Sequence, residues 1–389
     1  MDKQNKLIRI TTIPLSLEKL LGGQASFMKN HYQVIAVSSD KDHLQKVGEK
    51  EGVEVYHVEM TRRITPKQDL LAMWKLYKFF KKERPAIVHT HTPKAGFVGM
   101  VAAKMAGVPQ RLHTVAGLPL MEAKGRKKQI LLFVEKLTYG CCTQVYPNSK
   151  GLMDVILQEK LSSREKLNVI ANGSSNGIDT SWFSPETVSE TTKKELREKY
   201  NIKEKDFVFI YVGRLVSDKG INELIKAYTA FSRKYPATKL LLVGPQEAEL
   251  DPLKPDTLEA IKKNPQILPV GYQQDVRPWL AISDILVFPS YREGFPNVVM
   301  QAGAMGLPAI VTNINGCNEI IVENQNGLII PVKDAQAIYD KMELYLTNES
   351  LFLTHKEKAR EMITSRYEQK VVWDALLRVY KNLEQGTNV

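Results

Sequence analysis

Residues 285–308 begin Ile285-Leu286-Val287-Phe288-Pro289, pass through Ser290-Tyr291-Arg292, and continue Glu293-Gly294-Phe295-Pro296-Asn297-Val298-Val299-Met300-Gln301-Ala302-Gly303-Ala304-Met305-Gly306-Leu307-Pro308. A continuous apolar run bounded by turn formers suits a strand covered on both faces, so 285–289 reads as a buried parallel strand with Glu293 beyond its carboxyl end. Pro296 fits the first turn of a helix, where a missing N–H costs nothing, and Asn297 and Gln301 then lie four residues apart on one face. Open α/β sheets bind ligands at such strand ends. There a carboxylate can accept hydrogen bonds from sugar hydroxyls, and the free N–H groups of a helix start can hold a phosphate. On this segment alone, a plain helix start with an exposed Glu293 stays open.

Outward from this stretch, strand-like runs alternate with helical patterns, as parallel βαβ construction requires. In the first half the expected strands are Leu7–Thr12, Gln33–Ser38, Val53–His57, Ala86–His89, Gln110–Thr114, Gln144–Pro147 and Leu167–Ile170. Between them Asp69–Lys82 carries Leu70, Met73, Trp74, Tyr77 and Phe80 at helical spacing, which predicts a crossover helix with that face buried. A second sheet is expected to begin near Phe207. Trp182-Phe183-Ser184-Pro185 reads as a hinge and Glu186–Lys199 as a surface helix, so the domain boundary is expected between 184 and 185. The expected domains are 1–184 and 185–370, with 371–389 as a last helix whose Val372, Leu376, Tyr380 and Leu383 form one stripe.

A chain of 389 residues with 43% apolar content is long enough for two ordinary cores. No window approaches the ~18 uninterrupted apolar residues of a membrane span, and Met1-Asp2-Lys3-Gln4-Asn5-Lys6 lacks an apolar signal core, which predicts a cytoplasmic protein. Three cysteines without a Cys-x-x-Cys spacing suggest neither a disulfide framework nor a zinc site. Cys141 and Cys142 read as core filling and Cys317 as a loop thiol. Of the net charge of +11, residues 1–185 hold 28 Lys and Arg against 16 Asp and Glu, so the whole excess lies in the first half. That half is expected to meet an anionic partner; no nucleic-acid module accompanies the charge, which points instead to phosphate-bearing substrates or an acidic membrane face. Lys124, Arg126, Lys127 and Lys128 directly before Ile130-Leu131-Leu132-Phe133 suit anionic headgroups.

Glu293 and the position seven residues later resemble the signature of family 4 glycosyltransferases, in which two glutamates contact the donor nucleotide sugar; here the second is Gln301. Gly213-Arg214-Leu215-Val216-Ser217-Asp218-Lys219-Gly220 resembles the family's donor-phosphate motif, and Gly244, Gly271-Tyr272, Ser283-Asp284, Gly316-Cys317-Asn318-Glu319 and Asn326-Gly327 follow in the family order. The resemblance covers nearly the whole chain. It implies an α/β fold of two doubly wound Rossmann-like domains facing across a cleft (GT-B), with the last helix crossing back to the first domain. It also implies a retaining transferase, by front-face attack, that uses a nucleotide sugar, UDP-linked in preference to GDP-linked, and needs no metal or other cofactor. Val88–Gly96 with Arg111–Pro119 resembles bacterial capsule and exopolysaccharide enzymes that extend a lipid-linked saccharide, which would place the protein peripherally on the inner face of the cell membrane.

By the same resemblance Arg214 and Lys219 neutralise the departing pyrophosphate, Glu293 holds sugar hydroxyls, Gly294, Phe295, Pro296, Asn297 and Val298 line the phosphates and sugar, and Gln301 faces the ribose. Two cations aimed at that pyrophosphate stabilise the transition state more than the ground state. A Gln carbonyl can accept one ribose hydroxyl but makes no charge-assisted bonds, so weaker donor binding is expected. His113, in Arg111-Leu112-His113-Thr114, is expected near the reacting sugar as a fourth catalytic residue. Gly22 and Gly23, with His91 and Lys94, are the expected acceptor-binding residues. His89 and His91 have metal-ligand spacing but no carboxylate partner, and Asp40-Lys41-Asp42 reads as a solvated turn. Two alternatives remain at this stage: a nucleotide-sugar 2-epimerase of the same fold, and a catalytically inactive sugar-nucleotide-binding partner.

Overall fold

The computed structural model describes residues 4–61, 63, 65–118, 120, 123–247 and 251–386, so Met1–Lys3 of the chain start and Pro119 of the segment Arg111–Pro119 lie outside the described residues. The chain divides into two compact units, Met1–Gly177 with Lys370–Val389 and Ile178–Gln369.

In the first unit β1 (Lys6–Ile10), β2 (Gln33–Ser38), β3 (Glu54–His57), β4 (Ile87–His91), β5 (Gln110–Val115) and β6 (Gln144–Pro147) form one parallel sheet in the order β3-β2-β1-β4-β5-β6. Winding reverses between β1 and β4, which leaves a crevice at their carboxyl ends. The expected strand at Leu167–Ile170 is absent: Leu167 makes a single bridge to Val145, and Ala171 at φ 50° with Gly173 at φ 100° turns the chain away.

Helix Pro66–Glu83 covers the expected Asp69–Lys82 and buries the expected face only in part, with Phe80 inside and Met73 and Tyr77 half-buried against the core. Ala72, Leu76, Phe79 and Phe80 pack inward, with Tyr56 stacked on Phe79, while Leu70 is 68% and Trp74 51% exposed. Apolar residues populate both faces, so spacing alone does not select the inner one; packing beside helix Pro93–Ala106 does. The last helix, Gln369–Glu384, buries Leu376, Tyr380 and Leu383 against Leu7, Tyr32, Ile87, Leu112 and Tyr146 of the first sheet. Its Tyr380 hydroxyl lies 2.6 Å from His89 Nδ1, and His89 Nε2 lies 2.7 Å from Thr114 Oγ1. Truncating Leu376 there would cost about 2–5 kcal/mol.

The second unit repeats the winding. Strands β7 (Phe207–Val212), β8 (Thr238–Val243), β9 (Ile267–Gly271), β10 (Ile285–Phe288), β11 (Ala309–Thr312) and β12 (Gly327–Ile330) are parallel in the order β12-β11-β10-β7-β8-β9, with the reversal between β7 and β10. The expected boundary at 184/185 falls inside this unit. Ile178 N donates to Tyr367 O at 2.8 Å, Arg360 donates to the carbonyls of Thr180 and Phe183 at 2.9 Å, and Arg277 lies 3.3 Å above the Trp182 ring. Trp182–Pro185 is thus packed and no hinge. Pro185–Thr187 is a separate 3-10 turn, and the surface helix starts only at Glu190, capped by Ser189. Among the described residues no helix is long and apolar enough to cross a membrane.

Candidate active site

The carboxyl ends of β7 and β10 converge at the reversal of the second sheet, where Ile285 and Leu286 pair with Phe209 and Ile210. After β7 the chain makes a 3-10 turn, Ser217–Lys219, and enters helix Ile221–Lys234 through Gly220. Gly220, at φ 71°, sits so close to the segment after β10 that a Cβ would lie 2.1 Å from the Pro289 carbonyl oxygen. Only glycine permits this approach. It brings Lys219 Nζ to 2.6 Å from Glu293 Oε1, an ion pair whose side chains are 15% and 18% exposed.

Ser290, buried, donates to the same Glu293 oxygen at 2.8 Å, and its own carbonyl is held by the Thr312 hydroxyl. Two more ion pairs flank this one: Arg292 with Asp218 at 2.9 Å and Arg214 with Glu247 at 2.9 Å. The Glu247 hydrogen bond raises the Arg214 pKa, whereas burial lowers that of Arg292; both guanidiniums remain charged. Three cations thus gather at the two strand ends, each beside a carboxylate, in side chains that are partly rather than fully buried. An incoming dianion could exchange with those carboxylates without stranding a charge.

Pro296 is the residue before helix Asn297–Ala304, one position earlier than expected, because its ψ of 110° is extended. No side chain caps that helix; Val299 N donates back to Pro296 O at 3.2 Å, which leaves the N–H groups of Asn297 and Val298 as those a phosphate could meet. Phe295 turns its ring into the core against Tyr367, which leaves its backbone, with those of Gly294 and Val298, as the usable part. Gly316 abuts this turn: a Cβ there would meet Gly294 O at 2.7 Å. Asn297 is exposed and Gln301 half-buried on the next turn. Cys317, expected as a loop thiol, is fully buried at the start of helix Cys317–Ile320.

The expected residues of the first unit lie deeper. His113 is buried, 2.8 Å from Thr90 Oγ1 and packed against Gly96, and burial pushes its pKa down to about 4. A neutral imidazole offers a hydrogen bond and is no ready acid for a leaving phosphate. His91 is equally buried, 2.9 Å from Arg9 Nη2, and burial holds it neutral. Both nitrogens of His89 are used by Tyr380 and Thr114, so the pair offers no chelate. Lys94 is tied to Asp69 Oδ2 at 2.5 Å, a pair mostly removed from solvent. Gly22 and Gly23 precede helix Gln24–Met28, with Gly23 at φ 79°. Asp40 caps helix Lys41–Glu51 through His43 N, which accounts for the Asp-x-Asp. Among the described residues no group of three or more His, Cys, Asp or Glu is arranged to hold a metal.

Ser290, Arg292 and Glu247 were not singled out in the sequence. Arg292, adjacent to Glu293, carried a usable signal; Glu247 is joined to Arg214 only by the pairing of β7 with β8.

Two family models match the chain, "Glycosyl transferases group 1" over residues 192–369 and "Glycosyl transferase 4-like" over residues 19–149. The capsular polysaccharide biosynthesis glycosyltransferase CapM of Staphylococcus aureus is 34% identical over 97% of this chain and 97% of its own. The UDP-Gal:alpha-D-GlcNAc-diphosphoundecaprenol alpha-1,3-galactosyltransferase of Escherichia coli is 30% identical over 79% of this chain and 78% of its own. A solved glycosyltransferase structure from Rickettsia africae matches with a TM-score of 0.81 at 20% identity, covering 100% of both chains, a likeness of fold.

Proposed function

The chain belongs to the family 4 (group 1) glycosyltransferases, with the GT-B fold, and from that premise we propose that it moves a sugar from a UDP-linked donor to a saccharide carried on a lipid diphosphate, with retention and without a metal. It is a glycosyltransferase of polysaccharide biosynthesis. The observation that carries the finer reading is the Lys219–Glu293 pair at the reversal of the second sheet, flanked by Arg214. UDP and the lipid diphosphate are supported by the named reaction of the 30% identical E. coli relative.

In this reading the donor pyrophosphate draws Lys219 away from Glu293 and Arg214 away from Glu247. The freed Glu293 carboxylate accepts hydrogen bonds from the sugar hydroxyls, and the uncapped N–H groups of helix Asn297–Ala304 meet the phosphates. As the bond from C1 to the phosphate oxygen breaks, Arg214 and Lys219 neutralise the charge that collects on the leaving UDP. The acceptor hydroxyl oxygen bonds C1 on the face being vacated, and its proton passes to the departing phosphate oxygen. His113 supports the sugar as a neutral hydrogen-bonding group, and Gln301 accepts one ribose hydroxyl.

The acceptor's lipid chain requires a membrane surface, and the first unit carries one suited to it. Ile130, Phe133 and Leu137 are exposed on helix Gly125–Cys141 beside exposed Lys124, Arg126 and Lys127; Leu70, Leu71 and Trp74 are exposed on helix Pro66–Glu83. Both helices pack on helix Pro93–Ala106, so the two apolar sets flank one face of this unit. Lys128 is instead engaged by Glu159 at 2.7 Å. Docking there places the protein on the inner face of the cell membrane.

A panel of UDP-, GDP- and ADP-sugars, each with lipid-diphosphate saccharides and with EDTA present, tests the reading by NMR of the product. Transfer from a UDP-sugar with the donor's anomeric configuration is expected. An inverted product, or turnover only after a divalent ion is restored, would overturn it.

A further inference from the structure

On β1 of the first unit, Arg9 is 2% exposed, yet only its Nη2 is engaged, donating to Gln24 Oε1 and to His91 Nε2. Its Nε and Nη1 have no hydrogen-bond partner. A buried guanidinium without a counter-charge is costly, and Glu51, a buried carboxylate 7% exposed, acts on it electrostatically. Arg9 and Glu51 line one cavity of about 10 Å³, about the size of one water, whose remaining walls are Leu17, Leu21, Ala25, Ala36, Val47 and Val53, so these two side chains are the polar partners a water there would have. Glu51 itself accepts from Gly23 N at 2.8 Å and Ser26 N at 3.0 Å.

A second cavity, also about 10 Å³, is lined by Gln24, His91, Asn148 and Ser175 among others. His91 Nδ1, Asn148 Oδ1 and Ser175 Oγ are buried there without partners. Because Arg9 donates to Nε2 of a neutral imidazole, the His91 proton sits on Nδ1. That N–H needs an acceptor and Asn148 Oδ1 needs a donor, a pair of demands one water meets.

The same cluster reaches the glycine pair from the other side. Gln24 Nε2 donates to Ser175 O at 3.1 Å and Asn176 Oδ1 at 3.0 Å, while Asn176 Nδ2 donates to Gly22 O at 3.0 Å. Trp373 Nε1 donates to Asn176 Oδ1 at 2.7 Å. The carbonyl of Gly22 and the side chain of Gln24 are therefore held in one hydrogen-bonded chain that ends at Arg9, while the N–H of Gly23 is held by Glu51, whose own carbonyl accepts from Lys29 Nζ at 3.3 Å.

We propose that Arg9 is the positioning residue of the Gly22–Gly23 loop, acting directly through Gln24 and His91 and through two ordered waters, one to Glu51 and one joining His91 to Asn148 and Ser175. This rests on the reading of that loop as acceptor-binding. Its effect is on how the acceptor is received, since Arg9 is too deeply buried to touch it.

The test uses the full chain with the donor and acceptor that give turnover in the panel above. Removing the buried charge in Arg9→Met risks the fold, so Gln24→Met, which cuts the link to the loop and leaves Arg9 with Glu51, is the principal variant, beside Arg9→Lys and Gly23→Ala. Gln24→Met is expected to raise the acceptor KM about tenfold with kcat and UDP affinity within twofold, and to speed amide exchange of residues 21–28 about tenfold while 213–220 stay unchanged. Arg9→Lys should fall between Gln24→Met and the unaltered protein. An unchanged acceptor KM and unchanged exchange in Gln24→Met, with a raised KM in Gly23→Ala, would overturn the positioning role alone. An unchanged acceptor KM in Gly23→Ala would remove the acceptor loop and this inference together. A crystal structure with either cavity dry would overturn the water links.

Discussion

The carboxyl ends of β1, β4 and β5 in the first sheet carry Arg9, His89, His91 and His113, all buried, whereas those of β7 and β10 in the second lead to Arg214, Lys219, Arg292 and Glu293, all partly exposed. Strand order is the same in both units. What differs is whether the charge at the winding reversal is buried away from solvent or left exchangeable. In the first sheet three imidazoles are kept neutral by burial and serve as fixed hydrogen-bonding groups. In the second every cation keeps a carboxylate that a phosphate could replace. One topology supports a buried polar core in one copy and a set of partly exposed ion pairs in the other, so the character of each reversal follows its side chains rather than the sheet.

The largest expected effect lies in the second unit. Lys219→Ala, Arg214→Ala and Glu293→Ala should each lower turnover roughly 100-fold or more, about 2.7 kcal/mol of barrier. Because Lys219 and Glu293 touch, the double variant should lose less than the product of the two single losses. Melting temperatures should move little, since partly exposed ion pairs contribute modestly. Steady-state kinetics beside melting curves checks this; wild-type-like turnover in folded Arg214→Ala would dissolve the contrast between the units.

Next in size is a pH signature of two buried groups in the first unit, Glu135 and His113. Burial pushes the Glu135 carboxyl up to about 7, so the folded state favours its protonated form. The stability this gives is complete below the ordinary carboxyl range near 4.5 and is lost as pH rises to about 7, a change of roughly 2–3 kcal/mol. Glu135→Gln should remove that fall, so the difference in melting temperature between the variant and the unaltered protein should grow from pH 5 to pH 7.5. His113 acts with the opposite sign: its pKa of about 4 in the fold means stability present above 6.5 and lost as pH falls towards 4. A His113→Gln variant should accordingly melt with less loss on acidification from pH 7 to 5. pH-independent differences for both variants would show that burial at these positions does not control ionisation.

A smaller effect is expected at Gln301. If it meets the ribose, Gln301→Glu should tighten UDP binding by a fraction of the roughly 1.5–3 kcal/mol typical of hydrogen bonds to charged groups. Calorimetry reads it, and weaker binding with a lowered melting temperature would place the new carboxylate against the core instead. The mildest test returns to the outer face of the first unit. Changing Lys124, Arg126 and Lys127 to Glu should abolish salt-sensitive sedimentation with anionic liposomes, each charge contributing about 1 kcal/mol before screening. Equal, negligible sedimentation of the unaltered protein with anionic and neutral vesicles would end the membrane assignment.

Much of this was legible along the chain. The strands Gln33–Ser38 and Gln144–Pro147 stand where apolar patterning puts them, and Glu293 follows β10 as its run of four buried residues implies. These features depend on neighbours a few residues away, which a sequence displays directly. Helix Pro66–Glu83 shows the limit: its length and type were readable, its buried face only in part, because apolar side chains on both sides leave the choice to whatever packs against it. Trp182–Pro185 looked like a hinge from its composition and is instead held by Arg360 and Arg277, residues far along the chain.

The sequence by itself determined the two βαβ series, the strand-end positions of Glu293 and Arg214 and the charge excess of the first half, since each follows from local pattern or composition. Tertiary structure alone decided that Lys219 pairs with Glu293, that Arg214 meets Glu247, that His89, His91 and His113 are buried and neutral, and that Arg9 ties Gln24 to His91. Whether an ionisable side chain is a hidden strut or an exchangeable charge depends on desolvation and on partners brought in by other strands. Neither quantity exists until the sheet is wound.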